Sequence, residues 1–310
     1  MTLTPERVRE EFKKSFMTPL DLVRLTALMT RTSGISSLSI GLIDGPVVIN
    51  HPDFAGQNIR KISEEVNAAC TRIDSIACLH GTFIAGILGA RRGSSAPAIC
   101  PGCTVLVRPV FDEGTGGDSR VPSATPEELA AALIDCVVSG ARCINLSLAL
   151  ARPSSKGERE LEQALDYAAK REVLVVAAAG NQGTLGSSAI TRHPWVIPVV
   201  ACDAQGRPMN ESNLGASIGR RGLSAPGDRI TSLGSDGGSF TFGGTSVAVP
   251  FVTGTIALLW SAFPSASAAQ IRTAVTQTTT LRRGSVVPPL LNAEAAYQSL
   301  RRVKAGRQIA

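Results

Sequence analysis

The chain has 310 residues, of which 44% are hydrophobic, 18% charged and 4% aromatic, and its formal charge is +6. This length and balance predict a globular protein with one large core. The basic excess is scattered, apart from short pairs such as Arg282-Arg283 and a basic tail at 301–310, and it forms no basic-aromatic platform. Nucleic acid is therefore not an expected partner.

No secretion or membrane signal is visible in the sequence. Charged residues interrupt the first 25 positions, which excludes the apolar stretch of a signal peptide. No uninterrupted apolar run reaches the roughly 20 residues that span a bilayer. We expect a cytoplasmic protein without a membrane partner.

The predicted elements alternate between apolar strands and helices. A charged helical N-terminal extension at 1–37 comes first, and a strand at 38–43 follows it. The next elements are a helix beginning at His80, a strand at 105–111, a helix at 126–139, a strand at 143–149, a helix at 156–171 and strands at 173–179 and 196–202. This pattern predicts an α/β fold with a mainly parallel central sheet covered by helices on both faces. Residues 209–242 are expected to form hairpins and loops, and a helix at 266–277 is expected to close the domain, which we place at 38–300.

The stretch Gly243-Gly244-Thr245-Ser246 joins two glycines to a hydroxyl at the start of a small-residue helix. Glycines permit a tight turn and the close approach of a substrate chain. Ser246 would lie at the helix N-terminus, where unpaired N–H groups favour a developing negative charge, as a nucleophile requires. Pro250 is compatible with the first helical turn. The alternative is that Thr245 or Ser246 is only an N-cap residue.

A serine nucleophile needs a base and a carboxylate that orients the base. Two of the three histidines, His51 and His193, precede proline in loop-like sequence, whereas His80 opens a helix and is the candidate base. Asp44 directly follows a predicted strand, where ligands of open α/β sheets bind, and it is the candidate orienting acid. The alternative for Asp44 is an ordinary Asp-Gly turn.

Seven cysteines are present, so at least one is unpaired in a monomer. Three lie in apolar runs and are predicted to be reduced core residues: Cys136, Cys143 and Cys202. The plausible disulfides are Cys70–Cys78 and Cys100–Cys103. No second Cys or His pair accompanies the Cys-Pro-Gly-Cys motif, so no zinc site is expected.

The chain order Asp44, His80, Ser246 is that of the subtilisin family, and the motifs around these residues resemble it. The matching motifs are Ile43-Asp44-Gly45-Pro46, His51-Pro52-Asp53-Phe54, His80-Gly81-Thr82, Ile144-Asn145-Leu146-Ser147-Leu148, Ala177-Ala178-Ala179-Gly180-Asn181 and Gly244-Thr245-Ser246. The resemblance runs from 38 to 300 and implies the subtilisin-like three-layer fold. The stretch at 40–47, with a short charged extension before it, looks most like the cytoplasmic maturation proteases of cyanobactin-type peptides.

The resemblance implies a role for each motif. Ser246 would attack a peptide carbonyl, His80 would move the proton, and Asp44 would fix the tautomer of His80. Asn181 and the backbone N–H of Ser246 would form the oxyanion hole. The expected substrate contacts are Ser147, Leu148, Ala149, Ala178, Ala179, Gly180 and Thr245.

Two departures from the family pattern stand out. Gly45 and Pro46 replace the usual Ser or Thr followed by Gly, so a hydroxyl that normally supports the carboxylate is missing. The sequence at 91–97 contains two arginines and lacks the oxygen-rich loop of the family's strong calcium site. Calcium needs six to eight oxygen ligands, so a calcium ion is not expected at this loop. No other cofactor is expected.

The leading hypothesis is a serine endopeptidase whose partner is a peptide or protein and which removes a leader from a ribosomally made precursor. A general intracellular degradative protease is one alternative. Another is a peptide ligase or macrocyclase that passes the acyl group to an amine. Such a transfer requires that water be excluded from the acyl-enzyme, and only the loop at 111–125 could cap the site. The last alternative is an inactive module that binds peptides. The oligomeric state stays open.

Overall fold

A computed structural model gives the structure of the protein, and it describes residues 17–62, 70–72, 74–111, 113, 124–148, 158–277 and 284–307. Within these ranges a seven-stranded parallel sheet consists of β1 (Ser39–Asp44), β2 (Ile59–Lys61), β3 (Thr104–Pro109), β4 (Cys143–Leu146), β5 (Leu174–Ala178), β6 (Val196–Cys202) and β7 (Leu223–Pro226). The spatial order is β2-β3-β1-β4-β5-β6-β7. An antiparallel hairpin is formed by β8 (Ile230–Leu233) and β9 (Ser239–Phe242).

Helices cover both faces of this sheet and build one core on each face. In chain order they are α1 (Pro19–Leu22), α2 (Leu25–Arg31), α3 (Ile76–Gly89), α4 (Pro126–Val138), α5 (Glu158–Lys170), α6 (Ala189–Arg192), α7 (Ala216–Arg221), α8 (Thr245–Ala262), α9 (Ala268–Thr276) and α10 (Ala293–Arg307), with a short 3₁₀ helix at Pro52–Phe54. Helices α4 and α5 pack on one face, whereas α3 and α8 pack on the other. The central strands are buried on both sides, which explains their continuous apolar sequence. The predicted three-layer α/β fold is confirmed.

Helix α8 is the central helix of the larger core. Its side chains from Val247 to Trp260 are buried, and Gly254 lets it approach the loop before β3, since a Cβ there would lie 2.5 Å from Ile99 Cγ2. By length and composition alone α8 could cross a membrane, but 83% of the helix is buried inside the fold. Its apolar composition is therefore explained by core packing.

The strand order reverses beside β1. After β1 the chain builds β2 and β3 on one side and then crosses to β4 on the other. The carboxyl ends of β1 and β4 therefore flank a topological switch point, which is where ligands bind in open α/β sheets. Asp44 ends β1 at this point.

Several predicted boundaries differ from the structure. Residues 301–307 continue α10 and do not form a separate tail, and α10 follows the helix that was expected to close the domain. It is held by an Arg31–Glu294 ion pair at 2.5 Å and by the ring of Tyr297, which lies 5.1 Å from that of Phe263. At the other terminus, Leu25 and Leu28 of α2 are completely buried in the larger core, so this part of the expected extension is integral to the fold.

The segment at 209–242 was expected to contain only hairpins and loops. It also contains α7, and its strand β7 joins the edge of the parallel sheet beside β6. The strand predicted at 143–149 ends at Leu146. Residues 1–16, within the predicted extension, and most of the loop at 111–125 lie outside the described residues.

Candidate active site

Three side chains from three elements meet at the carboxyl end of the sheet. Asp44 ends β1, His80 lies in α3 and Ser246 lies in the first turn of α8. His80 Nδ1 is 2.6 Å from Asp44 Oδ1, and His80 Nε2 is 3.1 Å from Ser246 Oγ. Both are hydrogen-bond distances, so acid, imidazole and hydroxyl form one continuous line. Asp44 is completely buried, whereas the His80 side chain is 23% exposed.

The backbone after Asp44 packs tightly against α3. The N–H of Gly45 donates to Asp44 Oδ1 at 2.7 Å, and Asp44 Oδ2 has no hydrogen-bond partner among the described residues. A Cβ at position 45 would lie only 2.0 Å from the carbonyl oxygen of Ala77 in α3. The hydroxyl that subtilisins carry here is therefore missing for a steric reason, because α3 leaves room only for glycine.

Ser246 occupies the second position of α8 and does not cap the helix. The N-cap residue is Gly244, whose φ of 124° lies in the region that favours glycine, and no side chain caps the helix. A Cβ on Gly244 would also lie 3.1 Å from Asn181 Nδ2. The alternative that Thr245 or Ser246 serves only as an N-cap is therefore wrong.

Pro250 lies in the second turn of α8, not in its first turn as expected. Proline has no N–H, so the carbonyl four residues earlier, that of Ser246, receives no intrahelical hydrogen bond. Ser147 Oγ donates to this carbonyl at 2.9 Å. Asn145 Nδ2 donates to Ser147 Oγ at 2.7 Å, and Thr253 Oγ1 donates to Asn145 Oδ1 at 3.0 Å. This buried polar chain fixes the backbone of the nucleophile.

Asn181 is held through its amide oxygen by Thr245. The Thr245 N–H and Oγ1 both donate to Asn181 Oδ1 at 2.9 Å. Because a backbone N–H can only donate, the accepting atom must be the oxygen, and the Asn181 NH₂ group is the part that remains for a ligand. Thr245 is completely buried and accepts from the N–H of Gly180 at 3.3 Å. The expected substrate contact of Thr245 is thus corrected, since its side chain orients Asn181 instead.

Comparison with known proteins identifies the family. The profile described as "Subtilase family", peptidase S8, matches residues 36–300. The chain belongs to the subtilase family. Subtilisin E of Bacillus subtilis (strain 168) is 27% identical over 302 residues, which cover 94% of this chain and 74% of that protein.

Solved structures of two maturation proteases are similar to this subtilase. The protease domain of PatA, solved as a mutant, is 30% identical with a TM-score of 0.78, and the match covers 87% of this chain and 97% of that one. The prenylagaramide maturation protease PagA is 28% identical with a TM-score of 0.77, covering 89% and 98%. The resemblance to cyanobactin maturation proteases is therefore confirmed, and the chain is a subtilisin-like serine protease.

The charge state of His80 in this subtilase is governed by two opposing effects. Burial lowers its pKa, because it penalises the imidazolium. The negative charge of Asp44 and the hydrogen bond to it raise the pKa by more, so the pKa of His80 lies above its usual 6.5. Asp44 thus makes His80 a stronger base than an isolated imidazole.

The other expected substrate contacts follow β4 and β5. Ser147, Ala178 and Ala179 are only 3%, 2% and 5% exposed. Gly180 is also buried, Leu148 is half-buried, and Ala149 lies outside the described residues. These positions stay a prediction for the subtilase.

The loop after α3 does not fit the calcium ion that the family carries there. The Arg92 guanidinium donates to the carbonyl oxygens of Met29, Thr32 and Ile99 at 2.7, 3.0 and 3.3 Å. Carbonyl oxygens are the ligands that calcium would need, and here a cationic side chain already takes them.

One of the two plausible disulfides is present in the subtilase. Cys70 and Cys78 are bonded, with their Cα atoms 5.6 Å apart. Cys100 and Cys103 are free and buried, as are the three cysteines predicted to be reduced core residues: Cys136, Cys143 and Cys202.

Two further residues at the site were not predicted from the sequence. Asn213 Oδ1 accepts from the N–H groups of Gln182 and Thr184 at 3.1 Å, and the Asn213 N–H donates to the Gly180 carbonyl at 2.8 Å. It thus fixes the turn that carries Asn181, with no local sequence signal. The Phe242 ring lies 6.1 Å from that of His80, and its place just before the Gly-Gly-Thr-Ser motif was the signal that could have found it.

Proposed function

We propose that this subtilase is an endopeptidase that works through an acyl-enzyme on Ser246 and removes a leader from a ribosomally made precursor peptide. The observation that carries the proposal is the hydrogen-bonded line from Asp44 through His80 to Ser246. A hydroxyl in such a line can lose its proton to the imidazole as it attacks a carbonyl.

Each residue has a defined part in the reaction. Ser246 Oγ bonds to the carbonyl carbon, and His80 Nε2 takes the hydroxyl proton and gives it to the leaving amine. Asp44 holds the proton on His80 Nδ1 and stabilises the imidazolium. The Asn181 NH₂ and the Ser246 N–H donate to the oxyanion, while the chain from Thr253 through Asn145 and Ser147 keeps the Ser246 backbone in place.

Removal of a leader is supported by the proteins that this chain resembles. PatA is described as the patellamide maturation protease and PagA as the prenylagaramide maturation protease, at 29% and 28% identity. We place the enzyme in the cytoplasm, where a ribosomally made precursor is first available. Hydrolysis is favoured over ligation because the sequence contains no obvious large insertion that could cap the site against water, only the loop at 111–125. Most of that loop lies outside the described residues.

The decisive experiment incubates the purified protein with a diverse peptide library and a set of candidate precursor peptides and identifies the products by mass spectrometry. Cleavage at one narrow motif supports leader removal. Broad cleavage indicates a degradative protease, joined ends indicate transpeptidation, and an absence of products indicates a binding module.

Ser246→Ala tests the nucleophile directly. We expect turnover to disappear while the thermal melt stays nearly unchanged, because the lost hydroxyl is small. A sulfonyl fluoride should label Ser246 in the parent protein and nothing in the variant. Activity in the variant, or labelling of another serine, would contradict the mechanism.

A further inference from the structure

The Cys70–Cys78 disulfide is attached to the helix that carries His80. Cys78 lies in the first turn of α3, two residues before His80, and its side chain is completely buried. Cys70 is only partly buried and precedes α3. A change at this bond therefore acts on the start of the helix that positions the base.

Three of the other five cysteines are poor candidates for redox chemistry because their thiols stay protonated. Burial raises the pKa values of Cys136, Cys143 and Cys202. The thiolate is the reactive form of cysteine, so such thiols are unreactive.

The remaining two, Cys100 and Cys103, are kept from reagents by their position in the larger core. A hydrogen bond with Cys100 lowers the pKa of Cys103, but the two residues are 0% and 1% exposed. A dithiol in solution cannot reach either sulfur while the chain stays folded. Thiol–disulfide exchange in the folded chain is thereby confined to Cys70 and Cys78.

Glu113 favours the reduced form of this pair. Its Oε1 lies 2.9 Å from Cys78 Sγ and accepts from the N–H groups of Thr71 at 2.5 Å and Arg72 at 3.0 Å. Burial raises the pKa of Glu113, but these hydrogen bonds lower it by more, so the group is a carboxylate. A disulfide sulfur has no hydrogen to donate to it, whereas a thiol has one.

The same cluster joins three segments beside His80. Glu113 follows β3, Thr71 and Arg72 hold its carboxylate, and the N-cap residue of α3, Ser75, donates its Oγ to the Glu113 carbonyl at 3.1 Å. The disulfide closes this arrangement covalently from Cys70 to α3. Without the covalent link, the first turn of α3 keeps its hydrogen bonds and its packing against Gly45 but loses its attachment to Cys70.

We propose that the Cys70–Cys78 disulfide is a reducible modification site through which a dithiol lowers the activity of the enzyme by loosening the start of α3. The predicted loss of activity rests on the proposed function, whereas the thiol–disulfide exchange does not depend on it. One thiol of the dithiol loses its proton, and the resulting thiolate bonds to Sγ of the half-buried Cys70 and breaks the S–S bond. Cys78 leaves as a thiolate, takes up a proton in place of the one that the dithiol lost, and donates a hydrogen bond to Glu113. The second thiol of the reagent then displaces Cys70, so the dithiol is oxidised and both cysteines end as thiols.

The test uses the full chain purified without reductant and equilibrated with mixtures of reduced and oxidised dithiothreitol. Alkylation under native conditions, followed by mass spectrometry, should modify the half-buried Cys70 and leave the five core cysteines unmodified. Cys78 is completely buried, so we expect its alkylation only as the start of α3 loosens. On reduction we expect kcat/KM for a cleaved peptide to fall about tenfold, because His80 loses its fixed position. The melting temperature should fall by several degrees, and this fall should have the same midpoint in the dithiothreitol redox titration as the loss of kcat/KM.

Matched variants separate this effect from general destabilisation. The double variant Cys70→Ser, Cys78→Ser should behave as the reduced enzyme and ignore dithiothreitol. Cys202→Ala should keep the full redox response. Glu113→Gln should shift the thiol–disulfide equilibrium about tenfold towards the disulfide, because a charged acceptor is replaced by a neutral one.

A disulfide that stays closed in excess dithiothreitol while the chain is folded would overturn the proposal. So would opening that changes neither the melting temperature nor the rate at which a sulfonyl fluoride labels Ser246. Neither the redox titration nor the melt needs a substrate, so a protein that cleaves no peptide contradicts the proposed function and leaves the redox proposal intact.

Discussion

Gly45→Ser would restore the hydroxyl that subtilisins usually carry after the catalytic acid, yet we expect it to inactivate this enzyme. A Cβ at position 45 would lie 2.0 Å from the Ala77 carbonyl oxygen, whereas ordinary van der Waals contact begins at 3.4 Å. The position of a Cβ is fixed by the backbone and the oxygen belongs to the backbone of α3, so no side-chain rotation relieves the overlap. Helix α3 must retreat from β1 by about 1.4 Å or the backbone at Gly45 must distort.

The retreat of α3 would separate the reacting groups. Ala77 precedes His80 by three residues, and His80 Nε2 is 3.1 Å from Ser246 Oγ. An added separation of about 1 Å breaks this hydrogen bond, and misplacement of that size costs roughly 100-fold in rate. We therefore expect kcat/KM to fall by about 100-fold or more.

The assay measures peptide hydrolysis, sulfonyl fluoride labelling of Ser246 and the thermal melt on the same samples, which separates misplacement from unfolding. Gly284→Ser is the matched control, because no described residue lies within 4 Å of a Cβ there. It should be silent in all three measurements. If Gly45→Ser keeps kcat/KM within about threefold of the parent, the steric account of the missing hydroxyl is refuted.

Three further predictions follow from the site. Asn181→Ala should lower kcat by about 100- to 1,000-fold with a smaller effect on KM, which is the loss known for removal of the oxyanion-hole asparagine from subtilisin itself, and a change below about threefold in kcat would make Asn181 structural. Thr245→Val should lower kcat by about tenfold because Asn181 loses one of its two hydrogen bonds from Thr245. Thr255→Val is the control, since the buried Thr255 Oγ1 donates to the Phe251 carbonyl and to no other described group, and kcat should stay unchanged; equal losses in both variants would argue against the orienting role of Thr245. The acid limb of kcat/KM should have its midpoint above pH 6.5, since the base must be neutral and its folded pKa is raised, and a midpoint at or below 6.5 would contradict the influence of Asp44 on His80.

The sequence was sufficient for the parts of the site that lie in contiguous motifs. Asp44 at the end of a strand, His80 in a small-residue helix and Ser246 after Gly-Gly-Thr each carry a local signal, and their order adds another. The helix that carries His80 was predicted to begin at His80, but it begins four residues earlier, at Ile76. The central strands were equally predictable, because burial on both faces demands continuous apolar runs. The elements that went wrong depend on distant contacts. Strand β7 joins the sheet only because β6 offers an edge, and α10 is held by Arg31 from the other end of the chain.

The reason for some residues in the sequence can be found only in the folded structure. Gly45 looked like a loss of support for Asp44, but its cause is Ala77, 32 positions later. The Cys-Pro-Gly-Cys motif looked like a possible disulfide, yet both thiols are buried in the larger core and free. The short spacing between Cys100 and Cys103 permits a disulfide but does not determine whether it forms.

Ser147 shows how far such coupling extends. Its motif suggested a strand that pairs with substrate, yet its hydroxyl is committed to the carbonyl of Ser246, which Pro250 leaves without an intrahelical donor. The proline and the serine thus form one device, although 103 positions separate them. Without the Ser147 hydroxyl the Ser246 carbonyl would lack its donor inside the fold, which would cost stability. A side-chain donor ties the nucleophile's backbone to β4, so Ser246 is positioned by the sheet as well as by its own helix, and β4 flanks the switch point at which Asp44 lies.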